Sequence, residues 1–494
     1  MKAFFISTSI PYVNAEPHIG FLLEALEADV ISRFRRSLGS EVYFLTGTDD
    51  NALKNVQSAE KSGMKTQEFV DLNAKKFIEL MEKFDISNND FIRTSKDERH
   101  KLGAQKLWNA CSADIYKKKY EGLYCVGCES FKTQKELKDD FCELHPGKPL
   151  QKVSEENYFF KLSNYQEKLL SLIESGKLRI IPDEKKNEIT QFIKMGLEDF
   201  SISRSSIRAK NWGIKVPGSE DQIMYVWFDA LSNYINALGY ASDDLNFERF
   251  WKNGYKIHIV GKDINRFHSV YWPAMLLSAG IELPDTVFVH GFINDENGQK
   301  MSKTLGNYVN PFDLLNKYGK DPIRYFFLKE GAHYSDSNFS IKLFEEKYNS
   351  DLANGLGNFA ARVSTLIEKN GQIAFDKFNQ KNLDIELHAF LDKTILEMAD
   401  YLLNFKIAEA INSLWGLISY GDAYVNNNKP WSKDLTQERR EFLLGNLGFM
   451  LYEISRALDV FIPETASKIR DSLKFDGKNI FSKKIENLFP KINS

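Results

Sequence analysis

Four cysteines in 494 residues are too few to frame a chain of this length with disulfides. No stretch approaches the roughly eighteen uninterrupted apolar residues of a membrane-spanning helix. A signal-peptide layout is also missing, because the N-terminus enters the strand pattern Ala3-Phe4-Phe5-Ile6 at once. Neither sign of charge is in excess: 65 Lys and Arg stand against 68 Asp and Glu, a net charge of −3. That balance argues against a general polycation coating nucleic acid and leaves only local basic faces. Runs such as Lys117-Lys118-Lys119 and Asp183-Glu184-Lys185-Lys186 read as solvated surface. The composition, 43% apolar and 27% charged, is that of a soluble globular protein, expected to be cytoplasmic. The length exceeds one ordinary core, so about two to four domains are expected. Aromatic residues, by contrast, are plentiful. The 37 Phe and 21 Tyr supply large cores and stacking surfaces.

The most informative stretch runs from Ser7 to Phe21. A short apolar strand ends in a small-residue loop, and Leu23, Leu26, Val30 and Phe34 then recur at helical spacing. Such a strand–loop–helix turn presents unpaired N–H groups and a positive dipole end to a phosphate. His18 stands at the helix start, and Gly20 leaves room for a ligand to approach the backbone. A second strand, Glu41–Leu45, ends in Thr46-Gly47-Thr48-Asp49-Asp50. Acidic residues there fall at the carboxyl edge of an α/β sheet, which makes Asp49 a candidate partner for a ligand ammonium group. A helix cap is the competing assignment for Asp49.

The pattern changes between about 111 and 225. Cys125-Val126-Gly127-Cys128 is followed, after thirteen residues, by Cys142-Glu143-Leu144-His145. Three thiolates and an imidazole in two chelating turns suit tetrahedral zinc, and four protein ligands leave no open position, so the role is structural. Cys111 lies outside this spacing and reads as a buried hydrophobe.

Strand-then-helix patterning returns at 223–240. Tyr255–Val260 reads as a buried strand ending in Gly261-Lys262-Asp263, followed by Phe267, His268, Tyr271 and Trp272. Thr286–His290 leads to a loop with Lys300 and Lys303, a mobile cationic clamp suited to a polyphosphate. Beyond about 345 the strand pattern gives way to amphipathic helices, one carrying Leu387, Phe390, Leu391, Ile395 and Met398 on one face. Gly355-Leu356-Gly357 follows no strand and lacks a third glycine, so it is no dinucleotide fingerprint.

Pro17-His18-Ile19-Gly20-Phe21 and Lys300-Met301-Ser302-Lys303-Thr304 resemble the two signatures of the class I aminoacyl-tRNA synthetases. Further segments resemble the methionyl-tRNA synthetases within that class. These are Pro11–His18, Phe44–Asp49, Tyr120–Cys128, Gly261–His268 and the Cys/His knuckle. The resemblance runs in order over the whole chain and is to the short form, without a C-terminal tRNA-binding domain. It implies an α/β fold: a Rossmann-type parallel-sheet catalytic domain, split by a zinc-binding connective insertion, then an all-α anticodon-binding bundle. The expected segments are 1–112, 113–222, 223–345 and 346–494.

The same resemblance implies activation of L-methionine with ATP and Mg2+, followed by transfer to tRNA(Met), in a monomer that binds no membrane. It assigns His18, Lys300 and Lys303 to charge at the phosphates, with Gly20 at the helix start. Gly261 and Asp263 fall to the ribose and Ile293 to the adenine. Asp49 and the Ile10 backbone would hold the ammonium group. Tyr12, Trp227, Ala230 and Tyr234 would surround the thioether, together with Ile264, Phe267 and His268. Asn358, Arg362 and Trp431 would read the anticodon, and Cys125, Cys128, Cys142 and His145 would bind one structural zinc.

Two departures stand out. The last histidine of the first signature is Phe21, and the family's Asp-Glu-His-Gly is Asp49-Asp50-Asn51-Ala52. Two absent imidazoles predict slowed but retained activation, since losing a transition-state donor costs about 3 kcal/mol. A catalytically quiet paralogue that binds methionine or tRNA is the alternative from another class. A synthetase for leucine, isoleucine, valine or cysteine fits less well, because the large editing insertion is absent and the zinc knuckle and aromatic pocket favour methionine.

Overall fold

The computed structural model describes residues 3–125, 130–132, 137–138, 140–143, 147–242, 244–301, 306–486 and 488–492. The chain forms two compact units, Met1–Ala28 with Arg35–Gly291, and Asp29–Phe34 with Phe292–Ser494.

The first unit is built on a six-stranded sheet. In chain order its strands are β1 (Ala3–Ser7), β2 (Glu41–Thr48), β3 (Asp90–Arg93), β4 (Arg179–Ile181), β5 (Tyr255–Gly261) and β6 (Thr286–His290). They lie in the order β3-β2-β1-β5-β6-β4, every pair parallel. The strands read as near-continuous apolar runs because helices cover both faces, as the all-buried pattern of β6 shows. Strand order reverses between β1 and β5. The crevice beyond their carboxyl ends is where sheets of this type bind ligands. Register sets Ser7 beside both Leu45 and His258, so the loops after β1, β2 and β5 open from one edge.

The strand Arg179–Ile181 lies inside the range expected for the insertion, at the sheet's edge beside β6. Three residues between two helices are too short a run for periodicity to reveal. The insertion carries its own antiparallel sheet, in the order Phe200–Ser201, Gln151–Phe160, Ile115–Cys125, Ser130–Lys132. Cys111 is fully buried, and burial pushes its thiol up to about 12, which keeps it inert.

The second unit is mainly helical. Its longest helices are Ile385–Leu403, Ile407–Asn428 and Gln437–Leu458. On the first, Leu387, Leu391 and Met398 are buried as their spacing predicts while Phe390 and Ile395 are only half-buried, and Leu443, Leu444 and Leu447 are buried on the last. A small antiparallel sheet, Ile373–Ala374, Asn479–Ser482 and Leu473–Phe475, departs from the all-helical expectation. Its strands are two to four residues long, and Ile480 is held by packing close over Gly448 rather than by a local pattern. The fully buried Arg324 pairs with Asp29 at 2.6 Å and donates to the Phe461 carbonyl at 2.8 Å, so its charge is met inside the core.

Candidate functional site

The loop after β1 is tied to the end of β2: the Asp49 N–H donates to the Pro11 carbonyl at 2.9 Å, and Tyr12 and Asp49 form a parallel bridge. Further along, His18 precedes the helix Ile19–Ser37 and is exposed. Its Nδ1 accepts from the N–H groups of Gly20 at 3.0 Å and Phe21 at 3.3 Å. An accepting Nδ1 assigns the ring proton to Nε2, the nitrogen that can donate to an anion. The space at Gly20 is filled by this ring, since a Cβ there would come within 2.9 Å of the His18 Cε1. Phe21 is buried and packs edge-on to Phe77 at 5.2 Å. The departure from histidine at 21 therefore serves apolar packing between helices.

Asp49 and Asp50 face different tasks. Both oxygens of Asp50 are engaged: Arg93 Nη2 at 2.7 Å, Ser95 Oγ at 2.7 Å and Thr48 Oγ1 at 2.8 Å. Asp49 is 1% exposed and accepts from the Asn51 N–H at 3.0 Å. Asn55 Nδ2 donates to the carbonyls of both acids at 2.9 Å and fixes the turn. The following helix begins at Leu53 with Ala52 as its cap and no side-chain capping bond, so Asp49 is not a helix cap.

An aromatic wall faces this edge of the first unit. Trp227 and Phe267 stack at 3.6 Å with planes 5° apart. The Tyr234 hydroxyl meets His268 Nε2 at 2.7 Å, and His268 Nδ1 meets the Ile264 carbonyl at 3.0 Å. The carbonyl can only accept, so His268 carries its proton on Nδ1 and receives the tyrosine O–H on Nε2. Burial pushes His268 down to about 4, and the ring is neutral near pH 7. His258 lies 4.1 Å from the Tyr234 ring, bonded to Ser7 Oγ at 2.7 Å and to Trp272 Nε1 at 3.2 Å. Burial, then the charges of His268 and Lys256, hold it well below its ordinary value. Ala230 is buried and Ile10 partly so. Trp227 Nε1 is buried and has no hydrogen-bond partner among the described residues, an unfilled donor beside the stacked rings. At the end of β5 a Cβ on Gly261 would come 2.9 Å from Asp263 Oδ1, so glycine lets that carboxylate fold back over the strand end.

A polar cluster missed by the sequence reading joins these parts. Glu24 accepts the Ser9 N–H at 2.6 Å and the Ser9 hydroxyl at 2.7 Å on one oxygen, and His290 Nε2 at 3.0 Å on the other. His290 Nδ1 meets the Gly291 carbonyl at 2.8 Å, so both ring nitrogens donate. Burial alone would lower this histidine, but the bond to Glu24 and the nearby Glu27 and Glu24 charges raise it to about 9. Glu24 sits on the apolar face of its helix, and a carboxylate in an apolar stripe was the signal available.

In the second unit Ile293 is buried in the short strand Ile293–Asn294. Asp295–Lys300 forms a tight turn, with Asp295 Oδ1 accepting the N–H groups of Asn297 and Gln299 at 2.9 Å. Lys300 is exposed, its Nζ 4.6 Å from the Phe292 ring centroid, while Lys303 lies outside the described residues. Asn358 and Arg362 are one turn apart on the helix Asn358–Asn370. Arg362 donates to Asp422 Oδ1 and, at 2.7 Å, to Asn426 Oδ1, and it lies 5.7 Å from the ring of Trp431, which is 50% exposed. Asp422 and Asn426, four apart on Ile407–Asn428, are the holders that sequence reading missed.

Of the four zinc-ligand candidates, Cys125 and Cys142 are buried at strand ends, while Cys128 and His145 lie outside the described residues. Two buried thiols, one ending the long strand Ile115–Cys125 and one ending the two-residue strand Phe141–Cys142, fit a metal-clipped turn, and the described residues alone hold no complete ligand set. No helix among them is long and apolar enough to cross a membrane.

Residues 4–138 and 132–364 match the family model described as tRNA synthetases class I (M). The chain is 38% identical over 494 residues to a methionine–tRNA ligase of Fusobacterium nucleatum, covering 99% of this chain and 77% of the relative. It is 41% identical over 487 residues to the methionine–tRNA ligase of Brucella suis, covering 96% and 92%. A solved Mycobacterium tuberculosis methionyl-tRNA synthetase in complex with methionyl-adenylate is similar with a TM-score of 0.89 and 36% identity, over 95% of this chain and 94% of that one.

Proposed function

The chain belongs to the methionyl-tRNA synthetases of class I, and from that premise we propose how its residues divide the reaction. It is a methionine–tRNA ligase, activating methionine with ATP to methionyl-adenylate and pyrophosphate and passing the aminoacyl group to tRNA. In-line attack of the methionine carboxylate on the α-phosphate calls for positioning and charge stabilisation rather than a protein nucleophile.

The observation that carries the assignment is the pairing of buried Asp49 with the aromatic wall at the edge where strand order reverses. Asp49 would take the ammonium group, with the Ile10 backbone beside it. Trp227, Phe267, Tyr234 and His268, with Tyr12, Ala230 and Ile264, would enclose the thioether, whose polarizable sulfur favours ring edges. A neutral His268 suits an uncharged side chain. His18 Nε2 and the helix start at Gly20 would meet phosphate oxygens, Gly261 and Asp263 the ribose, and Ile293 the adenine. Lys300 and Lys303 would neutralise pyrophosphate, with Mg2+ carried in by ATP.

Asn358, Arg362 and Trp431 would read the anticodon of tRNA(Met). A half-exposed Trp over a held Arg suits stacking on an unpaired base. One zinc held by Cys125, Cys128, Cys142 and His145 would supply folding energy to the insertion and no catalytic step. A monomeric, cytoplasmic protein completes the reading.

The test is ATP–pyrophosphate exchange with each candidate amino acid. Methionine-dependent exchange is expected. Exchange with another amino acid would redirect the specificity, and none at all would favour a quiet paralogue, which the intact Asp49 and aromatic wall argue against.

A further inference from the structure

Position 51 carries asparagine where the family pattern has histidine, and the geometry around it gives Asn51 a definite task. Its backbone N–H donates to Asp49 Oδ1 at 3.0 Å. Its side-chain Nδ2 donates to Asp229 Oδ2 at 2.8 Å and to the Thr94 carbonyl at 3.3 Å, which occupies both amide hydrogens. Asp229 is 1% exposed and lies in the helix Val226–Leu231, between Trp227 and Ala230. Its other oxygen, Oδ1, meets Nε2 of the fully buried His100. Asn236 Nδ2 shares its two hydrogens among Ser232 Oγ at 2.8 Å, the His100 carbonyl at 3.1 Å and, at the longest distance, His100 Nδ1 at 3.3 Å. A carboxylate oxygen can only accept, so His100 carries its proton on Nε2 and donates it to Asp229. A Cβ on Gly103 would come 1.9 Å from Asn236 Oδ1, so this packing admits only glycine there.

Asp229 is thus a buried carboxylate with one side-chain donor on each oxygen, and one of those donors is Asn51. We propose that Asn51 is a positioning residue for methionine, bracing the Asp49 turn against the helix that carries Trp227 and Ala230. The brace joins segments 178 residues apart in sequence and keeps the ammonium side and the thioether side of the pocket in register. It needs an N–H donor and no imidazole charge, so asparagine and histidine are interchangeable in this role. With both amide hydrogens on protein acceptors, Asn51 keeps no side-chain N–H to donate to a phosphate, so its task here is the brace. This rests on the methionine assignment of Asp49, Trp227 and Ala230 proposed above.

The experiment is exchange kinetics on the full chain, with methionine and ATP varied separately, for wild type, Asn51→Ala, Asn51→Asp and Asn51→His. Wild-type exchange with methionine tests the functional reading itself, and its absence would remove both that reading and the brace. Given exchange, the methionine KM should rise about tenfold in Asn51→Ala, because a buried carboxylate oxygen loses its donor. It should rise further in Asn51→Asp, where a second carboxylate faces Asp229, and stay within about threefold of wild type in Asn51→His. The ATP KM and kcat should hold. If Asn51→Asp does not fold, Asp229→Asn serves in its place, with the same rise in methionine KM expected. The brace is overturned, with the functional reading intact, if the methionine KM is unmoved in Asn51→Ala. It is equally overturned if the change falls on kcat or on the ATP KM, or if Asn51→His behaves like Asn51→Ala.

Discussion

His268 and His290 are both buried in the first unit, near the carboxyl edge of one parallel sheet, yet they shift in opposite directions. His268 meets a tyrosine hydroxyl and a carbonyl, and burial takes it down to about 4. His290 meets a carbonyl and the Glu24 carboxylate, and its shift reverses to about 9. Burial penalises the charged form in both, and the one contacting carboxylate decides the outcome. The neutral ring stands in the proposed thioether wall. The charged one anchors Ser9, next to Ile10, through a shared Glu24.

Removing that carboxylate should break the contrast most. Glu24→Gln removes the one carboxylate bonded to His290, leaving only the charge of Glu27 nearby, and should cost about 3–5 kcal/mol of stability, read from chemical denaturation. The pH dependence comes next. His290 is raised above its unfolded value of 6.5, so its contribution is fully present below pH 6.5 and is lost as pH rises through about 9, a change of about 3 kcal/mol. His268 is lowered from the same value, so its contribution is present above pH 6.5 and is lost as pH falls toward about 4, by a similar amount of about 3 kcal/mol. Denaturation of wild type across this range should show both limbs, and Glu24→Gln should lack the alkaline one. On the neutral side, Tyr234→Phe removes the donor to His268 Nε2 and should cost about 1–3 kcal/mol, with a raised methionine KM in exchange assays.

The smallest effect concerns His18, the exposed histidine at the helix start. In Gly20→Ala the new methyl group pushes the ring off the backbone N–H groups, which should slow single-turnover adenylation about tenfold. A rate equal to wild type would show that His18 needs no such seat.

Most of the fold was legible because it rests on local patterns. The strand at 3–6, the helix from 19, the strands at 41–45, 255–260 and 286–290, and the leucine faces of the late helices all follow from periodicity that any neighbour would satisfy. Strands such as Arg179–Ile181 and Asn479–Ser482 were not legible, since two to four residues carry no period and each is held by a strand distant in sequence, Thr286–His290 and Ile373–Ala374 respectively. The site divides in the same way. Asp49, His18 and the aromatic cluster could be picked out by residue type and place in the pattern. Their protonation states and supports could not, because a pKa or an orienting bond belongs to a pair.

By itself the sequence determined the alternation of strand and helix, the apolar faces and the residue types available at the sheet's edge, all properties of neighbours along the chain. Tertiary structure alone decided that Glu24 charges His290, that Asn51 reaches Asp229 across 178 positions, and that Phe21 turns into the packing beside Phe77. The physical reason is that electrostatics and hydrogen bonding act through a few ångströms of space, whatever the separation in sequence.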